Sequence, residues 1–442
     1  AGSLMTILTC YQASDDPSSC ASLPVQSNGG NVQRQKITRG AQSWVQDYAY
    51  DAVNRLSAVT ETEGWSQTYG YDAYGNRWVS ASSGVPVSAL TPTSSTNFNT
   101  ATNRLAGSNT YDSRGNLTSY GSYTLAYDGD DKVLAAGGVM PSTGYEYDGE
   151  GRRVRAHSCP GATACSAGSG AETTVFVYDA FGRLAAEYAE GEGAWGTSYF
   201  TQDHLGSTRL ETDASGQAVA CHDYLPFGEE IGAGYGGRSS CFGAGDNKIK
   251  FTSKERDAET GLDYFGARYY SGAQGRFTSA DAPFADQHSE NPQSWNLYSY
   301  VGNNPLRFID TNGRVKKDAS GNVVFNKVGS GTTNYTEQAI EWTLPNGAPG
   351  TMFASWQTDV GFIYADDGTP ILSGKATSDM SVTLRDANGE VFQEGGSSLL
   401  GEGWSNKTNC VGSAFADGQV WISTDQVPKL KEGDNYKETG SP

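Results

Sequence analysis

The chain has 442 residues, room for two or three ordinary domains or one large β assembly. Its 31 basic and 50 acidic residues leave a net charge of −19, which argues against binding nucleic acid or an anionic membrane. No apolar run reaches membrane-spanning length, and residues 1–8 lack the basic start of a secretory leader.

Abundant Gly (56) and Tyr (25) beside only 4 Met predict many short strands joined by tight turns. A hydrophobic content of 37% suits a thin sheet with one wet face better than a solid core. Residues 1–47 are polar and turn-rich. From there a motif recurs: Tyr50-Asp-Ala-Val-Asn-Arg-Leu56, Tyr71-Asp-Ala-Tyr-Gly-Asn-Arg77, Tyr111-Asp-Ser-Arg-Gly-Asn-Leu117, Tyr127-Asp-Gly-Asp-Asp-Lys-Val133, Tyr147-Asp-Gly-Glu-Gly-Arg-Arg153 and Tyr178-Asp-Ala-Phe-Gly-Arg-Leu184. The spacings are 21, 40, 16, 20 and 31 residues, a unit near 20 with one motif degenerate or inserted where the gap doubles. Tyr is expected to end a strand. Asp binds backbone N–H groups of the turn, Gly takes positive φ, and the next strand opens on an apolar residue. Such a hairpin cannot bury its own face, so units must stack side by side. These Tyr and Asp residues read as wall, not as catalysts.

Three cysteine pairs each bracket a loop that a disulfide could close: Cys10 and Cys20, Cys159 and Cys165, Cys221 and Cys241. Bridging fits an oxidising, extracellular setting, with unlinked buried thiols as the alternative. Cys410 is left over.

The stretch from Asp203 to Gly313 is the most distinctive. It contains Asp203-His-Leu-Gly-Ser-Thr-Arg209, Asp223-Tyr-Leu-Pro-Phe-Gly228 and Lys254-Glu-Arg-Asp-Ala-Glu-Thr-Gly-Leu-Asp-Tyr-Phe-Gly-Ala-Arg-Tyr-Tyr270, then Gly275-Arg-Phe277, Asn296-Leu-Tyr-Ser-Tyr-Val-Gly-Asn-Asn-Pro305 and Asp310-Thr-Asn-Gly313. Residues 281–296 are expected to form a short helix with Trp295 packed. After Gly313 the character changes. Residues 314–325 read as a hairpin turning at Ser-Gly-Asn, followed by strands around 340–344, 361–364 and 381–384.

The 203–313 string closely resembles the core of bacterial RHS (YD-repeat) proteins, the segment that closes a β-shell ahead of a variable C-terminal domain. The resemblance implies a predominantly all-β chain. A hairpin spiral over 1–202 would form part of a hollow shell, 203–314 would be the repeat-associated core, and 315–442 a small α+β variable domain. Relatives of this kind also resemble an intramolecular aspartyl protease that cuts at the end of the core. Two neighbouring carboxylates sharing a proton supply base and acid. Carried over by motif, the residues are Arg276, Asp281 and Asp310, with the cut after Arg314. Thr311 and Ala282 stand where the family usually has proline, and a turn-and-salt-bridge role is the alternative.

Around Cys410, Asn409-Cys-Val-Gly-Ser-Ala-Phe-Ala-Asp-Gly resembles the nucleophile region of CHAP-type, papain-like hydrolases. That chemistry wants a Cys at a helix N-terminus and a His to take its proton. His157, His204, His222 and His288 all lie upstream, and Val411 stands where relatives often show His. The module is then cut short or inactive, or Cys410 is a small buried thiol. Three sequons, at Asn116, Asn334 and Asn406, are weak signals in a Thr-rich chain. Neither zinc-ligand nor EF-hand spacing occurs, and no cofactor or metal is expected.

The leading reading is a secreted or surface bacterial shell protein that encapsulates or presents its own C-terminal domain, a piece of a longer polypeptide. Secretion machinery or an immunity protein would be its outside partners. Two alternatives stand beside it: an adhesive extracellular surface protein that self-assembles as a homo-oligomer, and a cysteine hydrolase acting through Cys410.

Overall fold

The computed structural model describes residues 4–313 apart from 17, 21–22, 24–29, 63, 140, 160, 163–164, 166–171, 179–183, 190–196, 246 and 282–291; beyond 313 it describes strands within 316–422. The chain divides into two compact units, residues 1–321 and 322–442.

The first unit is a succession of antiparallel meanders. A six-stranded sheet runs in strict chain order from Thr6–Cys10 to Arg77–Ser83, and an eight-stranded sheet does the same from Thr110–Tyr111 to Leu184–Ala189. A three-stranded sheet over 199–221 and a four-stranded sheet over 255–277 follow. Sequential neighbours pair because each repeat turn is built by its own residues. The Oδ1 of Asp51 accepts from the N–H groups of Val53 and Arg55. Asp72, Asp112, Asp128 and Asp148 repeat the pattern two and four residues on. The third residue after each Asp takes the left-handed conformation: Asn54 (φ 64°), Gly75 (77°), Gly115 (97°), Asp131 (62°) and Gly151 (75°). Gly, Asn and Asp tolerate that region best, which explains the motif's composition there. The register slips by one residue at the Tyr, between Ala49 and Tyr50, Ala126 and Tyr127, and Glu146 and Tyr147. That is the bulge such a turn produces.

The Tyr joins one repeat to the next through its hydroxyl. Tyr71 donates to the carbonyl of Leu56, Tyr127 to Leu117, Tyr147 to Val133 and Tyr178 to Arg153. Each acceptor is the first residue after an earlier turn. In three of the four, a cation just before the acceptor lies over the same ring: Arg55 4.4 Å from Tyr71, Lys132 6.0 Å from Tyr147 and Arg152 5.4 Å from Tyr178. Asp203 and Asp213 build the same turn with left-handed Gly206 and Gly216, so the repeat pattern runs on into the 203–313 stretch. The sixth motif's turn, 179–183, lies outside the described residues.

Residues 253–304 lie across this row of turns and bind their left-handed carbonyls. Asn304 Nδ2 donates to Asn54 O (2.8 Å), Asn303 Nδ2 to Gly75 O (2.9 Å), and Tyr298 Oη to Gly115 O (2.8 Å). Tyr264 donates to Gly151 O, Ser253 to Gly206 O, and Arg276 to Asn103 O. A turn leaves that carbonyl without a strand partner, so donors from elsewhere must satisfy it. An aromatic cluster of Tyr224, Phe251, Phe265, Tyr270, Phe277 and Tyr300 fixes the segment, with the Tyr270 and Tyr300 rings 4.5 Å apart. Buried arginines add ion pairs: Arg153 joins a repeat to Asp257 and Glu255 of this segment, and Arg238 pairs with Glu61 and Asp223.

All three cysteine pairs are bridged, Cys10–Cys20, Cys159–Cys165 and Cys221–Cys241. Between 281 and 296 the described part is one 3-10 turn, Pro292–Trp295, and Trp295 is 44% exposed instead of packed. Lys316–Asp318 pairs back antiparallel onto Phe308–Asp310. The Ser-Gly-Asn turn expected at 320–322 lies outside the described residues.

In the second unit every described element is a strand. Pro349–Tyr364 is central, pairing with Asn326–Thr343, Pro370–Ala376 and Ser381–Arg385. The helical part of the expected α+β domain, and Cys410 with it, lie outside the described residues.

Candidate functional site

Asp281 follows the strand Arg276–Phe277 and is held by its N–H donating to Leu297 O (2.9 Å). Asp310 ends the strand Phe308–Asp310. Arg268 brings the two together. Its Nη2 stands 2.7 Å from Asp281 Oδ2 and 3.6 Å from Asp310 Oδ2. The guanidinium lies 3.8 Å from the Phe277 ring centre, Nη1 donates to Leu297 O (3.0 Å), and Nε donates to Gly313 O. One planar cation thus touches both carboxylates and the backbone beside the expected cut.

The turn after Asp310 is clamped on every peptide. The Asp310 carboxylate accepts from the N–H groups of Gly313 (2.6 Å) and Asn312 (3.1 Å). The Asn312 carbonyl accepts from Ala267 N (2.8 Å), and the Thr311 carbonyl from Lys254 Nζ (2.5 Å). Gly313 has φ 84°, and a Cβ there would stand 2.9 Å from the Arg268 backbone nitrogen. Asp310 is buried, 5% exposed. Burial raises its pKa; Arg268 opposes the rise, and the Asp281 charge adds to it. Asp310 is therefore the member suited to carry a proton.

Arg276 is not brought to the pair. Its guanidinium donates to Asn103 O and Asn76 Oδ1 and lies 4.7 Å from the Tyr298 ring, among the repeat turns. Arg268 occupies the position that the sequence reading gave to Arg276. Both arginines precede an aromatic residue near a strand end, so the sequence held no local signal to separate them. The cut position, Arg314, lies outside the described residues. The described histidines serve elsewhere: His157 faces Glu146 (2.6 Å), His222 faces Glu230 (2.6 Å) and His204 meets Leu306 O. His288 lies outside the described residues. Among the described residues no group of three His, Cys, Asp or Glu side chains is placed to hold a metal ion.

Turn-built hairpins stitched by Tyr, with a core segment closing over them, give this chain the fold of a YD-repeat β-shell, and two family models of that kind match parts of it. The teneurin YD-shell family matches residues 163–306, and the RHS repeat family matches residues 50–84. The chain is 28% identical over 276 residues to the tRNA3(Ser)-specific nuclease WapA of Bacillus spizizenii, covering 60% of this chain and 12% of that protein. It is 36% identical over 112 residues to toxin subunit YenC2 of Yersinia entomophaga, covering 25% of this chain and 10% of that one. Over 113 residues it is 38% identical to salivary gland surface protein 1 of Aedes aegypti, covering 26% of this chain and 3% of that one. A solved structure of TcdB2-TccC3 aligns with a TM-score of 0.46 at 18% identity, covering 65% of this chain and 17% of that one. The chain thus spans about an eighth or less of the length of each of these three curated relatives.

Proposed function

We propose that this chain is the closing end of a YD-repeat shell that contains its own C-terminal segment, residues 315–442, and severs it once, after Arg314. The observation that carries this reading is the Asp281–Arg268–Asp310 constellation set against the clamped residues 311–313. A water between the carboxylates adds to the carbonyl carbon of residue 314. Ionised Asp281 accepts a proton from that water, and protonated Asp310 donates one to the nitrogen of residue 315. The C–N bond breaks, leaving a carboxyl group on 314 and an amine on 315. Relatives named as a nuclease and as a toxin subunit support a toxic cargo, and an immunity protein or secretion machinery as outside partners. Three disulfides support an extracellular destination.

Limited proteolysis of the intact protein tests containment. Residues 315–442 should resist an added protease until the protein is denatured, and their rapid loss from the native protein would contradict it. The similarity to an insect surface protein favours a second reading, a structural extracellular element without cargo. In that case 315–442 would be digested freely and the protein would stay uncut.

A further inference from the structure

Lys254 belongs to none of the repeats and to neither carboxylate, yet its side chain ends on the clamped turn. We propose that Lys254 is a positioning residue that holds the Thr311 carbonyl and so presents the chain beyond Gly313 to the Asp281–Asp310 pair. The inference rests on the cleavage reading above.

Three consecutive carbonyls, of Thr311, Asn312 and Gly313, each take a donor from a different place: Lys254 Nζ, Ala267 N and Arg268 Nε. Arg268 is fixed by its ion pairs, and Ala267 lies in the short link between the strands Leu262–Tyr264 and Tyr269–Ser271. Lys254 reaches its acceptor through unusual backbone. Thr252 and Ser253 both have positive φ, 47° and 59°, which two L-residues in succession rarely adopt and which is least comfortable for a β-branched side chain. Strained backbone persists where its surroundings hold it. Here Thr252 N–H donates to Ser207 Oγ (3.0 Å), Ser253 Oγ donates to Gly206 O (2.8 Å), and the Lys254 N–H donates to Phe251 O (2.9 Å). The strained step is thereby anchored on a repeat turn and aimed at the 311 peptide. The Lys254 ammonium passes over the Phe265 ring at 5.2 Å. The charged groups facing this turn are Asp310, Asp281 and Arg268. Burial lowers the Lys254 pKa and Asp310 opposes that fall, so its charge is kept in part by the group it helps to place.

The test uses the full chain as Lys254→Met, Lys254→Arg and wild type. Intact mass against time and pH gives cleavage, and amide hydrogen exchange covers the peptide spanning 306–315. Lys254→Met is expected to cut about tenfold more slowly, the scale of one lost charge-assisted hydrogen bond. It should also exchange faster at 312–313, and Lys254→Arg should recover both. Lys254→Gln carries the same comparison should Lys254→Met fail to fold. Cleavage and exchange unchanged in Lys254→Met would overturn the proposal. If wild type never cuts, the cleavage reading fails by itself. The exchange result then decides alone: faster exchange in Lys254→Met keeps Lys254 as the holder of the turn, and unchanged exchange removes it.

Discussion

At the scale of single residues, environment assigns roles that residue type leaves open. Arg268 and Arg276 are both buried cations of the core segment, eight positions apart, yet only Arg268 reaches the carboxylates. Lysine in place of Arg268 keeps a charge but loses the planar fork that spans Asp281, Leu297 O and Gly313 O. Arg268→Lys should therefore slow self-cleavage by about a hundredfold, on the order of two lost charge-assisted bonds. Arg276→Lys should lower thermal stability and leave the order of events at the cut intact. Mass spectrometry and a melting curve of each variant check this pair. Asp257 gives a second prediction. It is buried against Arg153, with Tyr145 donating to it at 2.9 Å. Burial pushes its pKa up to about 7, Arg153 opposes the rise, and Glu259 and Glu255 add to it. A folded-state pKa above the unfolded value means that the folded protein holds the proton more tightly. Stability from this group is therefore complete below about pH 4 and is lost as pH rises through about 7. Wild type should melt lower at about pH 8 than at about pH 5, and Asp257→Asn should flatten that slope. An unchanged slope in the variant would contradict the assignment.

At the scale of the element, the repeat turn was legible in the sequence because its chemistry is local. Asp binds N–H groups two and four residues on, and the left-handed position falls on Gly, Asn or Asp. The cysteine pairs were legible for the same reason, each closing a loop of at most 20 residues. The carbonyl bound at each turn was not legible. Asn303 reaches Gly75 across 228 positions and Tyr298 reaches Gly115 across 183, distances at which sequence pattern carries no pairing information. The same holds for Arg268 and Gly313 O, 45 positions apart. Of the short helix expected over 281–296, the described part is one 3-10 turn at 292–295, and 282–291 lie outside the described residues. Two glycines test the crossing. Gly107 and Gly115 both have positive φ, 77° and 97°. A Cβ at 107 meets nothing within 4 Å, while one at 115 stands 2.7 Å from the Tyr298 hydroxyl. Gly107→Ala should cost about 1–2 kcal/mol, the left-handed penalty alone. Gly115→Ala should cost at least about 1 kcal/mol more, through the displaced Tyr298 bond. Equal costs by denaturant titration would show that the crossing segment contributes nothing at that turn.

At the scale of the first unit, repeats and core form one compact body, residues 1–321. The core segment supplies donors to turns from residue 54 to residue 206. It then delivers its own end, the 308–318 hairpin, to the carboxylate pair. On the proposed reading the segment that secures the wall also carries the cut, and cleavage is tied to completed folding. The direct measurement is intact mass of the purified full chain under denaturing conditions, for wild type and Asp310→Asn. Wild type is expected to give two fragments with new ends at Arg314 and Val315, and Asp310→Asn a single uncut mass. An uncut wild type after prolonged incubation, or a cut at any other peptide bond, would contradict it.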